Sequence, residues 1–329
     1  DGYSITVFPE GTRSVTGKLN RFHKGLFWLA EELKAPMVPV VLHGVGHAIQ
    51  KGDWLLKDAH MSMRTLPTVE WNDARYGKGH RERTKAISAE FKRAHSDHRA
   101  ASEIPTYWHE KLVRTFIYKG PVLEWYVRIK SHIDNGLHDR IHALVPRDAT
   151  IVDLGCGYGM LGYLLHWSAP ERRIVGVDHD AVKVEVAQHG FSRGDALQFQ
   201  QADLGAFDPP PADVFILKDV LHYMPPTAQA DLLKRCASKL KPGGSILVRD
   251  GFADDGTRHK RTRITELFST RLFGFNKTNG ALHFLRRREL ESMASACGTR
   301  CEWLSDSRVT SNELVILRPQ PFPKGEGND

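Results

Sequence analysis

A buried strand that leads directly into a glycine-rich turn constrains the fold of this chain more than any other sequence feature. Residues 151–154 read Ile-Val-Asp-Leu, glycines follow at positions 155, 157 and 159, and residues 160–166 continue with a mostly apolar helical pattern. Glycine allows tight turns and lets a ligand approach the backbone closely. The sequence therefore predicts a strand–turn–helix unit with a ligand bound over the turn.

Segments rich in β-branched residues alternate with helical patterns from Thr150 onward. Such alternation is typical of βαβ units, whose strands form a mostly parallel sheet with helices on both faces. We therefore expect an α/β fold with a doubly wound sheet. Its strands are predicted at residues 151–154, 174–177, 197–201, 214–217, 245–249 and 314–317.

Acidic residues lie close to the glycine turn and at the ends of the next two predicted strands. Asp153 comes two residues before the first glycine, Asp178 ends the second strand and Asp203 follows the third. In a doubly wound sheet the carboxyl ends of the strands form the ligand crevice, and an acid after the second strand binds ribose hydroxyls. A carboxylate at Asp153 suits a ligand with a cationic amino-acid end, and one at Asp203 suits an adenine amino group.

A nicotinamide-dependent dehydrogenase is one alternative interpretation of the glycine turn. Its fingerprint, G-x-G-x-x-G, requires a glycine at position 160, where this chain has Met160. A pyrophosphate also needs no negative charge at the position of Asp153. Both residues disfavour a dehydrogenase.

Residues 147–318 resemble the class I S-adenosylmethionine-dependent methyltransferases. Besides the glycine turn and the three acids, residues 212–225 are similar to the fourth strand of that family and the loop after it, and residues 239–244 to the turn into its fifth strand. The resemblance implies a Rossmann-like methyltransferase sheet, S-adenosylmethionine as the cofactor, and methyl transfer to an oxygen or carbon atom. The cofactor-binding residues that follow from it are Asp153, Gly155, Gly157, Gly159, Asp178, His179, Asp203, Leu204, Lys218 and Asp219.

Candidate catalytic residues are His222 and Tyr223, which follow the fourth predicted strand, where acceptors often approach. Either could act as an acid, a base or a hydrogen-bonding group, while a helix-capping role stays open. Residues 250–279 carry six Lys or Arg residues and four phenylalanines, among them Phe268, Phe273 and Phe275. They are predicted to form an acceptor-side wall, with a solvated basic loop as the alternative.

Residues 101–146 carry aromatic and histidine residues at helical spacing, with a break at Gly120 and Pro121. We interpret this segment as a helical linker or lid over the methyltransferase. Tyr118 and Tyr126 either face its pocket or pack the helices together. Residues 319–329 contain three prolines and two glycines and are predicted to be a disordered tail.

Residues 1–100 resemble part of a lysophosphatidate-type acyltransferase. Residues 8–14 read Phe-Pro-Glu-Gly-Thr-Arg-Ser after an apolar strand predicted at 5–7, and residues 22–25 and 38–44 are similar to the next landmarks of that family. An arginine beside a glycine turn can bind a phosphate through two hydrogen bonds. The resemblance implies a glycerol-phosphate site at Glu10, Gly11, Thr12 and Arg13, while an ordinary strand–turn–helix stays the alternative.

The acyltransferase family uses a histidine and an aspartate separated by four residues, with the histidine as the base. None of the 17 histidines of this chain has an aspartate five positions later. We therefore expect a partial α/β acyltransferase domain whose upstream part, with the base, is missing.

The net charge of +7 is concentrated at the front, where residues 1–100 hold 16 Lys or Arg against 11 Asp or Glu. This favours phosphorylated ligands or an anionic membrane surface. No basic run is interleaved with aromatic residues, so nucleic acid is not expected as a partner. Four cysteines are too few for a disulfide scaffold, and no run approaches the ~18 apolar residues of a membrane span. A cytoplasmic protein is predicted, with peripheral contact at the inner membrane face.

Two functions stay open at this point. The first is a bifunctional acyltransferase–methyltransferase of lipid metabolism with a truncated acyltransferase part, which methylates a small-molecule or acyl-carrier-bound acceptor. The second is a non-catalytic S-adenosylmethionine-binding scaffold attached to a lipid acyltransferase. The histidine spacing predicts no metal site.

Overall fold

The computed structural model describes residues 2–14, 19–49, 52–190, 194–253, 282–304 and 312–320. The chain divides into two compact units, Asp1–Tyr107 and Trp108–Asp329. The predicted disordered tail lies almost entirely outside the described residues. Among the described helices, none combines the length and the apolarity that crossing a membrane requires.

The front unit is a small α/β structure in which two strands pair in antiparallel fashion. Its core is formed by Phe22, Phe27, Val69, Tyr76 and Ile87. Its elements are α1 (Gly25–Glu32), β1 (Val40–His43), α2 (Val45–Ala48), β2 (Ser62–Thr65) and α3 (His80–Ser102).

The strand predicted at residues 5–7 is not formed. Among the described residues β1 pairs with β2 alone, and Ile5 is 70% exposed and Val7 42% exposed. An apolar segment becomes a strand when a neighbouring strand satisfies its backbone and a core covers one face. Neither condition is met here, so the prediction was wrong.

The second unit begins with helices α4 (His109–Phe116), α5 (Pro121–Ile133) and α6 (Asn135–Leu144). Gly120 has a φ of 94° and caps α5, which starts with a proline. A proline is well tolerated in the first helical turn because its missing N–H has no partner there. The helical character and the break at Gly120 agree with the sequence prediction.

A seven-stranded sheet forms the centre of the second unit. Its strands are β3 (Thr150–Leu154), β4 (Arg173–Asp178), β5 (Leu197–Gln201), β6 (Ala212–Lys218), β7 (Leu240–Gly251), β8 (Thr299–Leu304) and β9 (Asn312–Pro319). The helices between and beside them are α7 (Met160–Ser168), α8 (Ala181–Gln188), α9 (Pro226–Ser238) and α10 (Arg287–Ala296).

The strand order β5-β4-β3-β6-β7-β9-β8 confirms the predicted doubly wound fold. Strands β3 to β7 are parallel, and β9 runs antiparallel to β7 and β8. The chain proceeds outward from β3 to β5 and then crosses to β6 on the other side of β3. In sheets with such a reversal, ligands bind at the carboxyl ends of the two strands that flank it, here β3 and β6.

Two details of the sheet differ from the prediction. Strand β8 was not predicted, because it is an edge strand with one fully buried residue and no apolar alternation. Residues 239–244 were predicted as a turn before the fifth strand, but most of them lie within β7. There Ala212 pairs with Leu240 and Val214 with Ser245, so residues 241–244 bulge opposite a single residue of β6.

Candidate functional site

The glycine turn after β3 has the left-handed backbone conformation that its sequence predicts. Gly155, Gly157 and Gly159 have φ values of 80°, 55° and 73°. A Cβ at Gly155 would lie 2.6 Å from Val220, and one at Gly159 would lie 2.5 Å from Phe199. At Gly157, by contrast, no heavy atom lies within 4 Å of that position. Packing therefore requires the outer two glycines, while the middle one borders open space.

Asp178 is fixed at the end of β4 beside this turn. Its Oδ2 accepts a hydrogen bond from the backbone N–H of Gly157 at 2.8 Å, and its Oδ1 accepts one from the N–H of Asp180 at 2.9 Å. The exposed His179 places its Nδ1 3.4 Å from Oδ1. The carboxylate is thus held rigidly next to the glycine turn.

Asp153 is buried at the carboxyl end of β3, with 3% of its surface exposed. Burial raises its pKa to about 7, while Lys218 lowers that pKa and Asp178 raises it further. A carboxyl in this position changes charge near neutral pH. A cationic ligand group would favour its ionised form.

Asp203 and Leu204 follow β5 at the same edge of the sheet. Asp203 is exposed, and its Oδ1 accepts a hydrogen bond from the N–H of Gly205 at 2.9 Å. Leu204 is buried and belongs to the core around the sheet. The backbone thus orients one carboxylate toward solvent beside an apolar wall.

Lys218 and Asp219, at the end of β6, belong to a buried ionic network. Lys218 Nζ lies 2.8 Å from Asp134 Oδ2 and 3.5 Å from Asp219 Oδ2. Arg249 forms a salt bridge with Asp219, and Lys130 Nζ lies 3.3 Å from Asp134 Oδ2. Burial alone would raise the pKa of Asp134, but the surrounding cations hold it well below its usual range. The network fixes the end of β6 to the junction of α5 and α6.

One of the two predicted lid tyrosines reaches the glycine turn. The Tyr126 ring on α5 packs edge-on against Tyr158 at a centroid distance of 5.9 Å. Burial raises the pKa of Tyr126 to about 12, so its hydroxyl stays protonated. Tyr118 instead donates a hydrogen bond to the carbonyl of Val186 at 3.2 Å and contacts α8.

His222 is buried in a short 3-10 helix after β6, with 1% of its surface exposed. Its Nδ1 lies 2.5 Å from Asp250 Oδ1, and its ring packs against Tyr223 and stacks on Phe284. Helix α9 is capped by Pro225 without a side-chain bond, so His222 does not cap it. The carboxylate of Asp250 thus fixes the orientation of the imidazole.

The predicted acceptor-side wall at residues 250–279 lies outside the described residues from position 254 onward. Phe275 and the basic residues of that segment therefore stay sequence predictions. Only the four residues at its beginning, including Asp250, are described.

The front unit holds the predicted phosphate-binding turn. Gly11 has a φ of 67°, and Glu10 Oε2 accepts a hydrogen bond from the N–H of Asn20 at 2.6 Å. Thr12 and Arg13 are exposed beyond the turn. The backbone and Glu10 therefore shape the turn, and the side chains of Thr12 and Arg13 extend into solvent.

Comparison with known families finds two matches in the chain. Residues 151–244 match the model of the methyltransferase domain, and residues 1–43 match the acyltransferase model. Both resemblances drawn from the motifs are thereby confirmed.

Curated relatives also fall into two groups, methyltransferases and acyltransferases. Trans-aconitate 2-methyltransferase of Azoarcus sp. (strain BH72) is 35% identical over 126 residues, which are 37% of this chain and 48% of that protein. The 8-O-methyl transferase TcmO of tetracenomycin polyketide synthesis, from Streptomyces glaucescens, is 32% identical over 112 residues, 33% of either chain.

An acyltransferase aligns with the other part. The 1-acyl-sn-glycerol-3-phosphate acyltransferase of Limnanthes alba is 37% identical over 70 residues, 21% of this chain and 25% of that protein. The chain thus spans less than half the length of each of these three relatives.

Proposed function

We propose that residues 147–318 bind S-adenosylmethionine and transfer its methyl group to an oxygen or carbon atom of a small-molecule acceptor. The observation that carries this proposal is the bond between Asp178 and the N–H of Gly157, at 2.8 Å. It places a carboxylate directly beside a glycine turn whose middle residue borders open space. A nucleoside bound at a sheet crevice needs both features.

The residues present fit such a cofactor. Asp178 would accept hydrogen bonds from the ribose hydroxyls, with His179 beside it. Asp153 would face the amino group of the methionine part, and Asp203 with Leu204 the adenine. The glycine turn, Lys218 and Asp219 would complete the site. When bound, S-adenosylmethionine supplies a methyl group that is already activated, so the protein mainly aligns the acceptor and excludes water.

We assign the acceptor side to His222 and Tyr223. Asp250 engages Nδ1 of His222, so a proton exchanged by the ring would pass through Nε2. Because the ring is buried and packs against Tyr223, His222 can also act by positioning that tyrosine. The partly exposed Tyr223 is then the group that meets the acceptor.

The acceptor is proposed to belong to a lipid or acyl pathway. Support comes from the match of residues 1–43 to the acyltransferase model, beside the match of residues 151–244 to the methyltransferase domain. A bifunctional arrangement with an acyl-carrier-bound acceptor and contact with an anionic membrane surface would fit the basic front. The methyltransferase relatives are named for trans-aconitate and for tetracenomycin polyketide synthesis. Both names specify methyl transfer but different compounds, so we propose a specific reaction class and only a broad class of acceptor.

Calorimetric titration with S-adenosylmethionine tests the cofactor site. Asp178→Ala should weaken binding tenfold or more, because a hydrogen bond to a charged group contributes about 1.5–3 kcal/mol. Asp208→Ala is the matched control, since Asp208 is an exposed carboxylate of the same unit. This variant should bind S-adenosylmethionine like wild type. Unchanged affinity of a folded Asp178→Ala variant would contradict the proposal.

A transfer assay separates the enzyme from a scaffold. Radiolabelled methyl transfer to acceptors that bear a hydroxyl, a carboxyl or an acidic carbon is expected from the wild-type chain. A chain that binds the cofactor and transfers nothing to any of these acceptors is a scaffold instead. Titration with a nicotinamide dinucleotide should show no binding.

A further inference from the structure

Three side chains able to bind a metal ion converge in the front unit. His43 Nε2 lies 3.0 Å from Glu103 Oε1, and His47 Nε2 lies 3.6 Å from the same oxygen. One ligand atom from each residue lies within 4.8 Å of the others. His43 and Glu103 are buried, whereas 41% of the His47 side chain is exposed. The cluster is therefore accessible to solvent through His47.

The local backbone brings the two histidines together. His43 ends β1, and α2 begins two residues later, so His47 follows after about one helical turn. Between them Gly44 has a φ of 85°, and a Cβ there would lie 2.1 Å from the carbonyl oxygen of His60. Only glycine fits this position, and the turn that it makes directs both rings to one place.

Glu103 reaches the histidines from the far end of α3, 60 residues after His43. It caps the helix, with its N–H donating to the carbonyl of Arg99. Arg99 Nε also donates to Glu103 Oε2 at 2.8 Å. One carboxylate oxygen of Glu103 is therefore held by Arg99, and the other faces the two imidazoles.

We propose that His43, His47 and Glu103 bind a divalent transition-metal ion, with Zn²⁺ the best fit. Two imidazole nitrogens and one carboxylate oxygen are a donor set that zinc accepts with a water as fourth ligand. Calcium and magnesium prefer oxygen ligands and are disfavoured. The exposed side of the cluster at His47 leaves access for that water.

The surroundings of the cluster set its expected affinity. Arg99 orients the carboxylate as an outer hydrogen-bond partner does in metal sites, although its charge opposes a cation. His43 Nδ1 is buried without a hydrogen-bond partner among the described residues, so no outer bond orients that ring. Since an outer partner typically contributes 10- to 100-fold in affinity, we expect weaker binding than in a fully supported zinc site.

Spacing alone could not predict this site. His43 and His47 are four residues apart, but the third ligand comes from the end of a 23-residue helix. The proposal thus departs from the sequence expectation of no metal.

Zinc titration of the chelator-treated full chain, in competition with a chromophoric chelator, tests the proposal. Wild type should bind one equivalent through this site, and His47→Ala should weaken that binding at least tenfold. His80→Ala is the matched control, because His80 is a partly exposed histidine on α3 outside the cluster. It should bind like wild type.

Because the His47 side chain is partly exposed, its replacement by alanine should leave the protein folded. Circular dichroism checks this. Glu103→Gln adds a second variant, and cobalt(II) adds a second readout, since its visible absorption reports imidazole and carboxylate ligands. Equal zinc affinity of wild type and folded His47→Ala, or no site-specific binding by wild type, would overturn the proposal. The contacts among His43, His47 and Glu103 would then be ordinary hydrogen bonds, with no metal bound between them.

Discussion

The charge of Asp153 determines when the proposed cofactor site is complete. Burial raises its pKa to about 7 in the free protein, so the carboxyl is mostly protonated below that pH. A cationic amino group binds the ionised form, and the proton must leave before the pair forms. Affinity for S-adenosylmethionine should therefore rise about tenfold per pH unit between pH 5 and 7 and level off above it.

Calorimetry across this pH range checks the expectation. Asp153→Asn should bind more weakly at pH 7.5 and lose most of the slope. Asp208→Asn should keep the wild-type slope, because Asp208 is exposed and paired with Lys239 outside the site. A pH-independent affinity of wild type would show that Asp153 does not meet a cationic group.

Local sequence predicted only part of this site. Asp153, the three glycines and Asp178 lie within one strand–turn–helix–strand unit, so their pattern is visible in a single stretch. Asp134 reaches Lys218 across 84 residues, and Asp250 reaches His222 across 28. Their partners are set by how α5, β6 and β7 pack in the folded sheet. No local pattern encodes such long-range contacts.

At the scale of elements, we expect the packing role of the glycine turn to be separable from its proposed role in cofactor binding. A Cβ at Gly159 would collide with the Phe199 ring at 2.5 Å, in a left-handed conformation with φ 73°. Gly159→Ala should destabilise the protein by about 2–4 kcal/mol through strain and overpacking. Gly157→Ala meets no atom within 4 Å and should cost only about 1–2 kcal/mol of backbone strain.

The two variants should also differ in binding. Gly157→Ala fills the open space beside Asp178 and should lower cofactor affinity while the protein stays folded. Urea unfolding measures the stability of each, and calorimetry measures the affinity. A larger loss of stability in Gly157→Ala than in Gly159→Ala would contradict this division.

Sequence patterns predicted the elements best where both faces are buried. Strand β3 is buried along almost all of its length and was predicted within one residue at its start. Strand β8 has mixed burial at the sheet edge, so no alternation marks it. Residues 5–7 are apolar but lack a pairing strand among the described residues. Tertiary contacts, rather than local propensity, decide such segments.

At the scale of the whole molecule, two family models match separate parts of one chain. Residues 1–43 match the acyltransferase model and residues 151–244 the methyltransferase domain. The chain holds the turn that is predicted to bind phosphate, residues 10–13, but no His-x-x-x-x-Asp pair in its 329 residues. We therefore expect the front unit to bind its phosphorylated ligand without catalysing acyl transfer.

We expect residues 1–329 to bind glycerol 3-phosphate but to transfer no acyl group to it. Arg13 is exposed beside the Gly11 turn and can donate to a phosphate, while no paired histidine is present to deprotonate the acceptor hydroxyl. Calorimetry should show roughly tenfold weaker binding for Arg13→Ala, since a charged hydrogen bond contributes about 1.5–3 kcal/mol. Arg21→Ala, an exposed arginine outside the turn, should bind like wild type. Acyl transfer from a coenzyme A thioester or an acyl carrier protein, measured with radiolabelled acyl groups, should be absent in all three. Turnover by wild type would mean that a base other than the expected histidine–aspartate pair serves this unit.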